Sequence, residues 1–367
     1  MKKQLSLLAL ALSAAGLAHA QSNVTVYGVA DSYIGHATAS GKVNQNVVNS
    51  GGLSGSRLGF KGTEDLGNGL KALFTLEYSL SVDDNTGVGT GSSAARQQYV
   101  GLNGGFGTLL VGRLQTAGYD WTGRVNAFAG TAIDPMITVE RNLGNGKTRG
   151  KLGIGSFFNG SSRASNAIAY VTPTFSGFSA AVNHARISES AATNPGSKDD
   201  YANLVSGTYA NGPLTLSLIY ANAKFDGSAG NTAGNISKMT EWGFGGSYDF
   251  GVAKVFGSYQ KQSVDVVGAS YPSDKVLQLS ASVPVTAAGS VLVGYAGNTV
   301  KSTAAADNSK SYTVAYLHSL SKRTTAYAGY QYVSNDSAAA LGAANTLIAP
   351  TAGGHGSILV TGLRHSF

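Results

Sequence analysis

The sequence has no cysteine and little charge. Without cysteine, no disulfide can stabilise the fold and no thiolate can act as a nucleophile or metal ligand. Charged residues make up only 12% of the 367 residues, about half of the share in ordinary soluble domains. The 26 lysines and arginines exceed the 19 acidic residues, but they are spread thinly. Because nucleic-acid binding needs a clustered basic stripe, we expect no nucleic-acid partner.

Long apolar runs are also missing, except at the start of the chain. Lys2 and Lys3 precede the apolar run 5–18, which ends in the small-x-small sequence 18–20. We therefore predict that residues 1–20 are a Sec signal peptide and that the mature domain is 21–367. The alternative is a membrane anchor, for which a run of about 14 residues is short. An exported chain without a helical span leaves two classes, a transmembrane β-barrel or a secreted all-β protein.

Glycine and tyrosine are abundant, with 50 and 18 residues, and the apolar residues alternate with polar ones. This alternation with a period of two residues is typical of strands that have one apolar face. It recurs in segments such as 70–80, 214–220, 277–285 and 325–332. Alternation alone does not tell whether the polar face is turned to outer solvent or to a wet lumen.

The connections between these segments alternate between short and long. Seven short turn signals lie near 65–68, 103–105, 173–177, 211–213, 249–251, 286–289 and 321–323. Eight longer stretches lie near 36–54, 82–95, 114–162, 189–200, 226–237, 266–274, 302–309 and 336–354. This pattern predicts 16 strands with tight turns on one rim and long loops on the other, as in outer-membrane barrels. We expect the first strand, 24–34, to pair with the last, 356–367, and to close the sheet.

The longest of these stretches, 114–162, is far longer than an ordinary connection. It contains aromatic and apolar residues that can pack, so it differs from a disordered linker. We predict that it folds into the barrel and narrows the lumen.

Four segments resemble the general (diffusion) porins of β-proteobacterial outer membranes. Residues 24–31 are similar to their opening strand, 59–77 to their second hairpin, 316–327 to a strand–turn–strand motif, and 362–367 to their C-terminal signature. The resemblance implies a 16-stranded antiparallel transmembrane β-barrel with short periplasmic turns, long extracellular loops and a third loop folded into the lumen. It further implies a homotrimer among outer-membrane lipid and lipopolysaccharide that passes ions and small hydrophilic solutes. Phe367 would be part of the signal that the barrel-assembly machinery reads.

The resemblance also implies a constriction with arginines on the barrel wall opposite acidic residues of the third loop. Arg57, Arg96 and Arg163 match the basic positions. Leu58 and Phe60 lie on the apolar face, which places Arg57 on the lumen face. The alternative for each arginine is a position at the rim. An arginine that faced lipid at mid-depth would cost about 2–4 kcal/mol.

The candidates for the acidic side are Asp120, Asp134 and Glu140, with Asp31 as another possible lumen charge. The same loop has more basic residues, namely Arg124, Arg141, Lys147, Arg149 and Lys151. Because fixed charges at a narrow point bias which ions enter, this excess predicts a preference for anions. The prediction weakens if those side chains stay at the mouth of the loop.

Little in the sequence supports an enzymatic function. The segment 144–148 superficially resembles a phosphate loop, but Arg141 stands where the first glycine would be needed. The histidines show no metal-ligand spacing, and we predict no catalytic residue, cofactor or metal. Two alternatives to a general porin remain open. One is a solute-specific channel for anions such as phosphate, and the other is a non-transporting structural or adhesive barrel.

Overall fold

The computed structural model describes residues 23–84, 86–88, 94–140, 163–188, 199–225, 236–266, 269–270, 273–300, 307–344 and 348–367. The predicted signal peptide, 1–20, lies outside these ranges. The strands are β1 Asn23–Ala39, β2 Gln45–Ser50, β3 Arg57–Gly67, β4 Leu70–Ser79, β5 Ala95–Gly104, β6 Gly107–Gln115, β7 Arg163–Val171, β8 Phe178–Ser188, β9 Asp200–Asn211, β10 Leu214–Lys224, β11 Ile236–Asp249, β12 Lys254–Val266, β13 Ala269–Ser270, β14 Asp274–Pro284, β15 Gly289–Thr299, β16 Ser309–Ser319, β17 Thr324–Asn335 and β18 His355–Ser366. The helices are α1 Ala117–Val125 and α2 Pro135–Glu140.

The strands form one closed antiparallel sheet. Each wall strand pairs with the next, and β1 pairs with β18 from Val29↔Ser366 to Ala39↔Gly356. The short strands β2 and β13 are additions at the long-loop rim, so 16 strands make the wall. The predicted 16-stranded antiparallel barrel is confirmed. Closure leaves the described 16-stranded wall without a free edge, as a lipid-embedded sheet requires.

The first strand is longer than predicted. It continues through Ala37 and Ala39. Its residues 23–29 pair with β3, and its residues 32–37 pair with β2. The predicted loop 36–54 therefore begins as a hairpin. The alternation explains the extension, because Ala37 and Ala39 are buried on the same face as Tyr33.

Strand β10 shows which face of the wall is apolar. Leu218 and Tyr220 are 58% and 45% exposed on the outside, whereas Ser217 and Ala221 are almost fully buried on the inside. Buried glutamines on other strands, such as Gln260 and Gln331, also lie on the inner side. A soluble sandwich would have the opposite arrangement, so the sheet is built for a lipid surround and a polar interior.

A tight turn on the short-turn rim joins β3 to β4. Asn68 and Gly69 adopt the left-handed conformation, with φ of 52° and 76°. This conformation costs glycine least and is tolerated by asparagine, which explains the Asn-Gly sequence. Within the described ranges, no helix is long and apolar enough to cross a membrane.

Candidate pore constriction

Helix α1 lies inside the barrel, directly after β6. Thr116 caps its start and accepts a hydrogen bond from the Tyr119 amide at 3.4 Å. One face of the helix, which carries Trp121 and Val125, packs against buried residues of β9–β12, and the indole Nε1 donates to the Ser217 carbonyl at 3.4 Å. The opposite face carries Tyr119, Asp120 and Arg124, which are exposed or half-buried. This face is therefore directed into the pore.

The described part of the third loop is seated on glycines of the wall. A Cβ at Gly329 would lie 2.5 Å from Ile133 Cδ1, and one at Gly294 would lie 2.7 Å from the Phe128 ring. These glycines leave hollows that two apolar loop side chains fill. The loop is held by shape as well as by hydrogen bonds, so its inner face has a defined position. Residues 141–162 of the predicted loop, with Arg141, Lys147, Arg149 and Lys151, lie outside the described residues.

Two of the predicted acidic residues of the loop are buried. Asp134 accepts from both the Met136 amide at 2.8 Å and the Asn126 side chain at 2.9 Å, and so it caps helix α2. Glu140 accepts from Gln260 Nε2 of the wall at 2.8 Å and is 2% exposed. Both carboxylates are therefore held by polar partners of the loop and the wall.

Asp120 is the predicted acidic residue that stays on the pore side. Its Oδ1 accepts from Gln115 Nε2 at 2.6 Å, and its side chain is exposed. Protein atoms inside the barrel nevertheless replace part of the water around the carboxyl. This desolvation raises the pKa of the Asp120 carboxyl above its ordinary value, although the Gln115 hydrogen bond and nearby Arg124 oppose the shift.

Arg57 and Arg96 lie together on the wall opposite α1. Arg96 Nε donates to Glu77 Oε1 at 2.8 Å, and Arg57 Nε donates to the Gly55 carbonyl at 3.0 Å. A register shift explains how Arg96 reaches the lumen, because Glu77 pairs with Gln97 while Tyr78 pairs with Ala95. Without this bulge, Arg96 would fall on the lipid face with Val100.

Arg163 joins this cluster from the start of β7. Its guanidinium lies 5.1 Å from the centre of the Tyr119 ring on α1, a cation–π distance. It also interacts electrostatically with Arg96 and Glu77. The structure therefore brings together the three predicted arginines and adds a loop tyrosine that reaches across to them. We call Arg57, Arg96 and Arg163 the basic wall.

The sequence analysis missed three residues of this site. Glu77 holds Arg96 and accepts from Tyr27 at 3.1 Å, Tyr119 faces Arg163, and Arg364 on β18 interacts electrostatically with Arg57. Alternation places Glu77 and Arg364 on the polar faces of their strands, so a signal existed for both. No sequence signal pointed to Tyr119. Asp31 is fully buried and binds the first long loop.

Comparison with known proteins identifies this architecture. A model of the Gram-negative porin family matches residues 6–338. The chain belongs to the Gram-negative porin family. This porin is 36% identical to outer membrane porin protein 32 of Delftia acidovorans over 93% of this chain and 92% of that protein. It is 28% identical to an outer membrane porin of Bordetella pertussis over 91% and 95% of the two chains.

Solved structures agree with this assignment. The anion-selective porin from Comamonas acidovorans superposes with a TM-score of 0.79 at 31% identity, covering 95% of this chain and 100% of that one. A loop L8 deletion mutant of OmpT of Vibrio cholerae, at 15% identity and a TM-score of 0.66, shares the fold. The protein described here is an outer-membrane porin, and its barrel is the channel. Among the described residues, no three acidic or histidine side chains could hold a metal ion.

Proposed function

We propose that this porin is a general diffusion channel that prefers anions and passes small hydrophilic solutes without covalent chemistry. The basic wall supports this proposal. It collects Arg57, Arg96 and Arg163, and the acid among them, Glu77, accepts from Arg96 and Tyr27. A surface with an excess of positive charge at a narrow point concentrates anions and repels cations. The printed description of the similar Comamonas structure as anion-selective points in the same direction.

The constriction would lie between the basic wall and the exposed face of α1. In this proposal, Asp120 contributes the opposing negative charge. Asp134 and Glu140 would support the loop from inside, because Asp134 caps α2 and Glu140 bonds to Gln260 of the barrel wall. Solutes would pass the guanidinium groups while their own polar surfaces stay hydrated. The segment 114–162 would be the constriction loop.

We also propose the export and assembly route that the family resemblance implies. The Sec signal 1–20 is removed, and the chain assembles as a homotrimer in contact with lipid and lipopolysaccharide. The barrel-assembly machinery would recognise the terminal strand with Phe367. A similar solved structure, OmpT of Vibrio cholerae, is described as a trimer form. Gel electrophoresis of unheated and heated membranes tests the oligomer, because a porin trimer should resist SDS until it is heated.

The reversal potential in a KCl gradient tests the proposed selectivity. An anion-preferring channel gives a potential of the sign set by chloride, whereas a cation-preferring channel gives the opposite sign and contradicts the proposal. The dependence of conductance on solute concentration separates the alternatives. The conductance of a general channel keeps rising with concentration, and that of a solute-specific channel reaches a plateau. A structural or adhesive barrel gives no conductance.

A further inference from the structure

Asp31 anchors a loop segment on which the arginines rest. Its Oδ2 accepts from the amides of Leu53 and Ser54 at 2.8 Å each, and its Oδ1 accepts from the Gly52 amide at 3.1 Å. The Tyr327 hydroxyl donates to the same Oδ1 at 2.7 Å. An ionised carboxylate offers about four lone-pair sites, so these four donors use its full capacity.

The segment Gly51–Ser56, here called the inner L1 turn, is thereby folded into the lumen. The Asp31 backbone adds further bonds, because its carbonyl accepts from the Gly51 amide at 2.7 Å and from the Ser56 hydroxyl at 3.0 Å, and its amide donates to Ser56 Oγ at 3.0 Å. The Gly52 carbonyl accepts from the Ala132 amide of the third loop at 2.8 Å. One turn therefore connects β1, β17 and the constriction loop.

The inner L1 turn in turn holds the guanidinium groups. The Gly55 carbonyl accepts from Arg57 Nε at 3.0 Å, and Ser54 Oγ accepts from Arg364 Nε at 2.9 Å. A Cβ at Gly55 would lie 3.0 Å from Arg96 Nη1, so this arginine packs directly against the turn. Long arginine side chains lose rotamer entropy when they are fixed, and the turn provides the partners that fix them.

Two glycines, Gly52 of the inner L1 turn and Gly362 of β18, make room for this arrangement. A Cβ at Gly52 would lie 1.9 Å from the Tyr327 hydroxyl, and one at Gly362 would lie 2.3 Å from it. Tyr327 can therefore cross β18 to reach Asp31 only because both positions lack a side chain. The tyrosine is 5% exposed, so its hydroxyl needs the partner that Asp31 provides.

We propose that Asp31 is a positioning residue for ion selectivity: through the inner L1 turn it fixes Arg57, Arg96 and Arg364, which makes Arg364 a fourth basic residue of the constriction. This inference rests on the proposed anion preference of the basic wall. It predicts that this negative charge in the lumen favours anions, although a negative charge normally repels them. A lumen carboxylate that acted only through its field would weaken anion preference, whereas Asp31 strengthens it by ordering the arginines.

Two variants test this inference in the full-length porin. Asp31→Asn removes a negative charge and one strong acceptor, and Tyr327→Phe removes a donor without changing charge. We expect both to lower the chloride-to-potassium permeability ratio by about twofold or more, because disordered guanidinium groups no longer line one surface. Tyr330→Phe is the matched control, since Tyr330 lies on the same strand with its side chain 41% exposed on the outer face. A higher or unchanged ratio in Asp31→Asn would overturn the inference.

Amide hydrogen exchange gives a second readout that does not depend on selectivity. The amides of Gly52, Leu53 and Ser54 should exchange about tenfold faster or more in both variants than in wild type. Unchanged exchange would contradict the anchoring role. If wild type shows no anion preference, the proposed function fails, and the exchange rates still decide whether Asp31 holds the turn. Should Asp31→Asn not fold, Tyr327→Phe decides both readouts.

Discussion

Arg96 reaches Glu77 across a β-bulge, with Nε and Oε1 2.8 Å apart and the two side chains only 13% and 4% exposed. The register shift at Arg96 places an arginine in the pore where regular alternation would have turned it to lipid. The ion pair then holds it there. In the proposed constriction, the position of Arg96 thus depends on a backbone irregularity and on an acid within the basic wall.

Glu77→Gln tests this pair. The change removes the charge that partly neutralises Arg96 but keeps an oxygen that can accept from its Nε, so we expect the arginine to stay in place and the anion preference to become stronger. Single-channel recording in a KCl gradient measures this preference. Glu64→Gln makes the same charge change at an exposed site towards the short-turn rim and should have little effect. Unchanged selectivity in Glu77→Gln would show that the pair lies outside the conducting path.

Gly329→Ala tests whether the constriction loop is seated on the wall. The new Cβ would meet Ile133 Cδ1 at 2.5 Å, so we expect the loop to shift and the single-channel conductance to change. The double variant Gly329→Ala/Ile133→Ala should restore conductance, because the shortened side chain clears the new methyl group. Gly207→Ala is the control, since a Cβ there meets nothing within 4 Å. Conductance that is altered equally in the single and double variants would argue against this contact.

The raised pKa of Asp120 predicts that the ion selectivity depends on pH. Because desolvation raises the pKa of its carboxyl, Asp120 takes up a proton at a higher pH than an ordinary aspartate. Its negative charge is present above that pKa and is lost as the pH falls through it. Anion preference should therefore increase on acidification from neutral pH. Reversal potentials recorded as a function of pH should show this increase in wild type and less of it in Asp120→Asn. An identical pH profile in the two proteins would contradict the pore-side position of Asp120.

The contacts of Phe367 predict that its removal weakens the barrel where β1 and β18 close the sheet. Its backbone exchanges two hydrogen bonds with Gly28, each 3.1 Å long, and its ring occupies the space of the missing Gly28 Cβ. Phe367→Ala should therefore lower the temperature at which the folded barrel opens in SDS and reduce its yield in the outer membrane. Phe175→Ala, which removes an 80% exposed ring near a short turn, should not. Equal behaviour of the two variants would remove the special role of Phe367.

Much of the fold could be predicted because a membrane barrel repeats one pattern. Alternation and turn spacing gave the number of strands and the closing pair, and the lipid face explains why this works: every strand must keep one apolar side. The extended end of β1 was missed, because small residues such as Ala37 and Ala39 carry a weak alternation signal.

The candidate site was less predictable, because it depends on irregular backbone. Arg57 followed from simple alternation, whereas Arg96 reaches the lumen through a bulge that propensity does not reveal. Asp134 and Glu140 looked like pore charges from sequence, yet they cap and fasten α2. Whether a loop carboxylate meets water or a buried donor depends on long-range packing. Glu77 was accessible to sequence reasoning, since it lies on the polar face of a regular strand.

The most direct test of the account is the reversal potential of the double variant Arg57→Ser/Arg96→Ser in a KCl gradient across a planar bilayer. Arg323→Ser, which removes an exposed arginine at the short-turn rim, serves as the control. We predict a clear anion preference in wild type and control that collapses in the double variant while conductance remains. A double variant with unchanged anion preference would contradict the basic wall as the selectivity filter.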